Sequence, residues 1–281
     1  MSSLVLILLA TTATPGDVVE AQSYLYQPAF CMDHLLRGPA RPYHPQPGDI
    51  FLATDKGFFA KMGHRLGLTA APHHSGLVVQ RSDGRLGLLE GGPFNTFHCR
   101  IVDLEPHLAQ YAEHERVWIR RRSIPLTCEQ NRRLTAFAEA VDGKCFSIGK
   151  LLKQLTPLRH RGPVRTAFVG HARAADFEAD GTRDGLKKSY YCSELVVEAL
   201  VAACALDPET ARPSATFPRD LFFGRSINPY IDRHLTLCEW DPPARWTACP
   251  GNEHPAKVRP WLDGDGPGPA ARKGPRPGQC H

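Results

Sequence analysis

Apolar residues recur along this chain with two periods, and each period predicts a different kind of element. Alternation marks strands. Behind the turn at Gly48-Asp49, Ile50-Phe51-Leu52-Ala53 reads as a short buried strand. His74-Ser75-Gly76-Leu77-Val78-Val79-Gln80 predicts a second, Ser82-Asp83-Gly84-Arg85 is a turn signal, and Leu86 to Glu90 returns as the antiparallel partner. Arg116 to Arg121 is a further strand candidate. Helical spacing appears in three places. Lys56 to Leu66 gathers Phe58, Phe59 and Met62 on one side. A helix opening at Thr127, with Gln130 completing a capping box, carries the stripe Leu134, Phe137, Ala138 and Val141 and meets Gly143 at its end. Another starts near Cys192, buries Leu195, Val196, Ala199, Leu200 and Ala203, and has Ser189 upstream as a cap. Strands and helices do not alternate as repeated βαβ units, so the pattern predicts an α+β fold, an antiparallel sheet packed against helices.

Composition narrows the class. The 281 residues are 42% hydrophobic and 22% charged, ordinary values for a chain able to bury a core. The expected globular body is 43–240, and no apolar run approaches the roughly 20 residues of a membrane span. Residues 1–21 read as a signal peptide or a disordered N-terminus. Leu4 to Ala10 is apolar and Val19-Glu20-Ala21 offers a cleavage site, yet no Lys or Arg precedes the run. The protein is exported or periplasmic if that signal is real, and cytoplasmic otherwise. Residues 22–42 form a connecting segment, and 241–281, rich in proline and glycine, a flexible tail. The net charge of +5 is scattered apart from Arg120-Arg121-Arg122, which reads as a solvated strand end rather than a nucleic-acid patch. Nine cysteines show neither CxxC pairs nor a CxxC…HxxxH spacing, which argues against structural zinc; being odd in number, they cannot all pair.

Cys192 stands out among them. A thiol in the first turn of a helix feels unpaired N–H groups and the positive end of the macrodipole, both of which favour thiolate. The bland alternative is a small core residue on an apolar helix. Tyr190 and Tyr191 could line a cleft beside it, and the Cys192 N–H could hold an oxyanion. A thiolate nucleophile needs a histidine base oriented by a third polar group. His74 opens one strand of the hairpin and Glu90 closes the other, so both reach one sheet edge. Side chains alternate across a strand, so Asp83-Gly84 as a complete two-residue turn would set Glu90 opposite Leu77 and away from His74. An odd loop is therefore expected around Ser82 to Arg85. His73 is the rival base and Asn95 the rival orienter. His64, His98, His107, His114 and His171 read as surface or packing residues, Cys204 as core, and Cys31, Cys99, Cys128, Cys145, Cys238, Cys249 and Cys280 lack a comparable helix-start setting.

Pro47-Gly48-Asp49-Ile50-Phe51, His74-Ser75-Gly76-Leu77-Val78-Val79, Glu90 and Tyr191-Cys192-Ser193-Glu194-Leu195-Val196, in that order, resemble the landmarks of a known group. These are the circularly permuted papain-like amidases and cysteine peptidases of the NlpC/P60 superfamily (YiiX/YebB-like), in which the histidine strand precedes the cysteine helix. The resemblance spans 43–240 and implies a permuted papain-like fold with the nucleophile at a helix N-terminus. It gives Cys192 as nucleophile, His74 as base and then acid, and Glu90 as orienter, with Tyr191, Tyr190 and Ser193 as oxyanion or cleft candidates. Glu194 is expected in a helix-start or salt-bridge role, and Pro218-Arg219-Asp220-Leu221 at the cleft border. Phe146 stands where many members carry tyrosine, and the polar stretch from Arg159 to Lys188 reads as an inserted lid. The implied activity is a cysteine hydrolase acting on an amide or related acyl bond, as in a cell-wall peptide or protein isopeptide. The alternatives are a lipid acyltransferase or hydrolase on the same fold, a catalytically inactive binding domain and, last, a zinc enzyme. The expected partners are a peptide, peptidoglycan-derived or acyl-lipid substrate, with no nucleic acid, cofactor or metal; oligomeric state is left open.

Overall fold

Period-two alternation explains how one sheet can have two dry faces. The computed structural model describes residues 23–26, 40–54, 71–92, 97–114, 116–147, 149–150, 186–225 and 235–248. Its strands are β1 (Tyr24–Tyr26), β2 (Arg41–Pro42), β3 (Ile50–Ala53), β4 (His74–Gln80), β5 (Leu86–Gly91), β6 (Cys99–Asp103), β7 (Val117–Arg120), β8 (Cys145–Phe146), β9 (Ser189–Tyr190) and β10 (Ala244–Thr247). Eight of them form an antiparallel sheet in the order β2-β1-β10-β7-β3-β4-β5-β6, while β8 and β9 pair in parallel. Among the described residues four α-helices are complete: α1 (Leu104–His114), α2 (Cys128–Val141), α3 (Cys192–Ala202) and α4 (Pro218–Phe223). The fold is α+β.

Alternate residues of the same strand enter different cores. Ile50, Leu52, Leu77, Val79, Leu89 and Trp118 pack with Leu134 and Phe137 of α2, Leu195 and Val196 of α3, and Leu221 of α4. Their neighbours Phe51, Ala53, Val78, Leu88, Val117 and Ile119 face the other way, onto Leu104, Leu108 and Tyr111 of α1. Every residue of α3 is buried, the apolar ones in the core and Glu194 and Glu198 against Lys187. The Thr127 capping box is present, with Gln130 N donating to Thr127 Oγ1 at 3.2 Å and Thr127 N to Gln130 Oε1 at 3.0 Å.

The Gly48-Asp49 turn is a structural hub. Gly48 takes a left-handed φ of +92°, and the buried Asp49 carboxylate accepts from the Tyr43 hydroxyl (2.9 Å) and the backbone N–H groups of Arg122 (2.7 Å) and Gln46 (3.2 Å). Burial nevertheless raises its pKa to about 6.

Several expectations need correction. Ser189 does not cap α3: it lies in β9, and the N-cap is Tyr191, whose side chain makes no capping bond. Cys204 is exposed and left-handed (φ +53°) just past the end of α3, not in the core. The Arg120-Arg121-Arg122 run is not a solvated end. Arg120 and Arg122 are buried. The Arg120 guanidinium donates to the carbonyls of Asp241 and Leu221, each at 3.0 Å, and of Trp240 at 3.4 Å. Arg122 pairs with Glu239 and lies over the Trp240 ring at 4.6 Å. A guanidinium has five donors, enough to gather loop carbonyls that would otherwise be stranded. The sheet also reaches past both ends of 43–240, through β1 and β2 on one side and β10 on the other, where Trp246 is buried. Residues 1–21, the helix expected over Lys56–Leu66, Asn95, residues 249–281 and most of the Arg159–Lys188 stretch lie outside the described residues.

Candidate active site

The β4–β5 register decides whether His74 and Glu90 can meet. Gln80 pairs with Leu86 and Gly76 with Glu90, leaving the five residues Arg81 to Arg85 in the loop. Arg81 and Arg85 are further joined by a backbone bond of 2.9 Å, and Gly84 supplies a φ of +83°. The odd loop puts Glu90 on the same face as His74. His74 Nε2 lies 2.7 Å from Glu90 Oε2. An ionised carboxylate only accepts, so the Nε2 of His74 carries the proton and Nδ1 is left for another partner.

The other group acting on the His74 ring is Cys192: the imidazole and the thiol each shift the pKa of the other through hydrogen bonding and charge. The two approach from opposite sides. His74 shares the α1 face with Phe51 and Tyr111, whereas α3 packs on the other face. They meet at the strand end because His74 is the first residue of β4 and Cys192 the first of α3. Burial disfavours the thiolate, but the His74 hydrogen bond and charge, then the Ser75 hydroxyl and the Ser193 N–H, hold the Cys192 pKa below that of an ordinary thiol. For His74, burial lowers the pKa, while hydrogen bonds to Cys192 and Glu90 and the charges of both raise it, to about 10 overall. The arrangement favours a thiolate beside an imidazolium. Cys192 forms no disulfide, and the other described cysteines are free as well.

Glu90 is fully buried and has more partners than the sequence reading gave it. His107 Nε2 contacts its Oε1, and the Tyr111 hydroxyl donates to Oε2 at 3.3 Å. Burial would raise the Glu90 pKa, yet His107 and His74 together keep it below the ordinary carboxyl value. His107 is therefore neither a surface residue nor simple packing: with Tyr111 one turn later, it sits on the buried stripe of α1. The i, i+4 spacing of His107 and Tyr111 was the available signal, and it becomes readable only once α1 is known to be a helix.

The remaining candidates go elsewhere. Tyr191 Oη donates to the carbonyls of Pro213 (3.0 Å) and Thr216 (3.3 Å), and Ser193 Oγ to that of Thr216 (2.7 Å). Tyr190 Oη accepts from Lys187 N at 3.0 Å, and its ring packs edge-on to Phe137. Buried hydroxyls need partners, and these three use theirs to brace α3; only the Ser193 N–H serves the sulfur. His73 is buried, its N–H bonded to the Ala53 carbonyl at 2.9 Å. Cys128 does open a helix, contrary to the sequence reading, but on the exposed side of α2. Glu194 takes the salt-bridge role expected of it, 2.8 Å from Lys187 Nζ.

Two glycines shape the approach to the sulfur. A Cβ on Gly91 would lie 3.7 Å from the N and Cα of Cys192 and 3.2 Å from Phe146, and one on Gly92 would meet the same ring. Their absence leaves room beside the first N–H of α3, flanked by Phe146. Among the described residues, no group of three or more His, Cys, Asp or Glu side chains is placed to hold a metal ion, and no helix is long and apolar enough to cross a membrane.

No family model matches the chain, and no curated protein matches it. Among solved structures it is similar to the metalloprotein yiiX of Escherichia coli O157:H7, with 16% identity over 69% of this chain and 89% of that chain, at a TM-score of 0.38.

Proposed function

We propose that the protein is a cysteine hydrolase of the permuted papain-like type, cleaving an amide or related acyl bond through Cys192, His74 and Glu90. The observation that carries this reading is an imidazole held at 2.7 Å by a buried carboxylate and coupled to the thiol of Cys192, each raising or lowering the other's pKa toward the ion pair. The thiolate of Cys192 attacks the carbonyl carbon, forming a C–S bond and an oxyanion that the Cys192 N–H can meet through the space left by Gly91. The imidazolium of His74 gives its proton to the leaving nitrogen or oxygen as the scissile bond breaks. Water then adds to the acyl-enzyme, His74 takes its proton, and the carboxylic acid departs with the thiolate restored. Glu90 fixes the tautomer throughout and stays ionised. Phe146 beside Gly91 and Gly92, joined through its N–H to the carbonyl of the exposed Phe97, favours an acyl-lipid substrate as the second reading, in which the acyl group passes to water or to another acceptor.

The test is alkylation by iodoacetamide at about pH 6.5, where an ordinary thiol is almost wholly protonated, with the adduct located by peptide mass spectrometry. Cys192 is expected to react ahead of the exposed thiols Cys128, Cys145, Cys204 and Cys238, and to lose that advantage in His74→Ala. Uniform labelling of the exposed thiols with Cys192 untouched would sink the proposal.

A further inference from the structure

The carboxylate that orients His74 is itself held from behind. Oε2 of Glu90 receives His74 Nε2 at 2.7 Å and the Tyr111 hydroxyl at 3.3 Å, while Oε1 faces His107 Nε2. The side chains of Glu90 and His107 are 0% and 10% exposed, so solvent cannot readily replace a missing donor. The His107 and Tyr111 rings meet edge to face at 5.1 Å, and Tyr111 stacks on His74 at 5.7 Å. One helix thus contributes two donors, four residues apart, to a carboxylate on the sheet.

We infer that His107 is a positioning residue for the cysteine site, donating from Nε2 to Glu90 Oε1 and so fixing the carboxylate that sets the tautomer of His74. The inference rests on the catalytic reading above and adds a residue to it. A carboxylate can turn about its last bond. With a donor on each oxygen the turn is blocked, and Oε2 stays in the line of His74 Nε2. The two imidazoles share one negative charge, so each must present an N–H to it. Removing the His107 donor leaves a buried oxygen unpaired, and such an oxygen favours the protonated acid. A neutral Glu90 supports the His74 imidazolium less well, and the thiolate of Cys192 then forms only at higher pH. Among the described residues, the other groups facing this cluster include Tyr111 from α1, Cys192 through His74, and Arg100, which pairs with Glu90 in the β5–β6 register but is exposed.

The experiment is the pH dependence of Cys192 alkylation in the full chain, compared among wild type, His107→Ala and His107→Gln. His107→Ala is expected to move the midpoint upward by roughly one pH unit. His107→Gln, whose amide can donate from nearly the same place, should return it most of the way. An unmoved midpoint in His107→Ala, or equal shifts in both variants, would overturn the inference, because a merely structural role lowers the folded fraction without distinguishing the two. Should His107→Ala fail to fold, nitrogen-15 histidine spectra of the wild type decide. Both His74 and His107 are expected in the Nε2–H form, and a His107 protonated only at Nδ1 overturns the inference. Failure of the catalytic reading looks different: wild-type Cys192 would show no selective alkylation, whatever the tautomer of His107.

Discussion

Two ionic clusters border α3, one reaching its first residue through His74 and one built on its own glutamates, and they differ in what faces the carboxylate. At the strand end, Glu90 meets two imidazoles and a phenol. Two residues beyond Cys192, Glu194 meets Lys187 at 2.8 Å and Lys150 at 3.5 Å, and Glu198 meets Lys187 at 2.5 Å. Burial alone would lower the Lys187 pKa, but Glu194 and Glu198 raise it, so Lys187 keeps its charge across the ordinary pH range. The cluster ties Lys150 and Lys187 to α3. The imidazole cluster is different because its protons can move. A buried carboxylate facing lysines is a fastener, and one facing histidines can serve proton transfer.

The comparison breaks most sharply at Cys192. Cys192→Ala should abolish selective alkylation and any hydrolysis, while the urea midpoint moves little, since the sulfur occupies a small volume. A large fall in stability would mean that the thiol is chiefly a packing residue. Next in size is Lys187→Met, which leaves Glu194 and Glu198 without their nearest cation and should cost about 3 kcal/mol in urea denaturation. An unchanged midpoint there would show that the clamp bears no weight. The smallest effect sharpens the contrast through pH. His74 titrates near 6.5 when unfolded and at about 10 when folded. A raised folded pKa stabilises fully below the unfolded value and loses that contribution as pH climbs through the folded one. The stability gap between wild type and His74→Asn should therefore shrink as pH rises from 6.5 to 10, whereas any gap produced by Lys187→Met should stay level across most of that interval. Parallel gaps would remove the distinction between the two clusters.

Much of this was legible because local rules and tertiary structure agree. The hairpin from His74 to Glu90 announces itself by alternation and a turn signal, and parity alone required an odd loop. The start of α3 was readable from its apolar run, and α2 from Thr127 and Gln130. What escaped notice had weak local signals. β1 and β10 are three and four residues long, too short for alternation to register, and β10 follows Pro242-Pro243 in a segment whose composition suggests disorder. α1 carries Pro106 and mixes polar with apolar residues, so neither the helix nor the place of His107 on it could be read. The hydroxyl partners of Tyr190, Tyr191 and Ser193 are not legible for another reason: proximity in sequence to Cys192 says nothing about where buried hydroxyls find partners.

The position of β10 has a consequence for how the molecule is made. It lies between β1 and β7, joining residues near the beginning of the chain to its middle. During synthesis, β3 to β6 can pair as soon as they leave the ribosome, but β1 and β2 have no place to dock until Ala244–Thr247 has also emerged. The hairpin bearing His74 and Glu90 can thus be assembled early, while the outer quarter of the sheet waits for translation to pass residue 247.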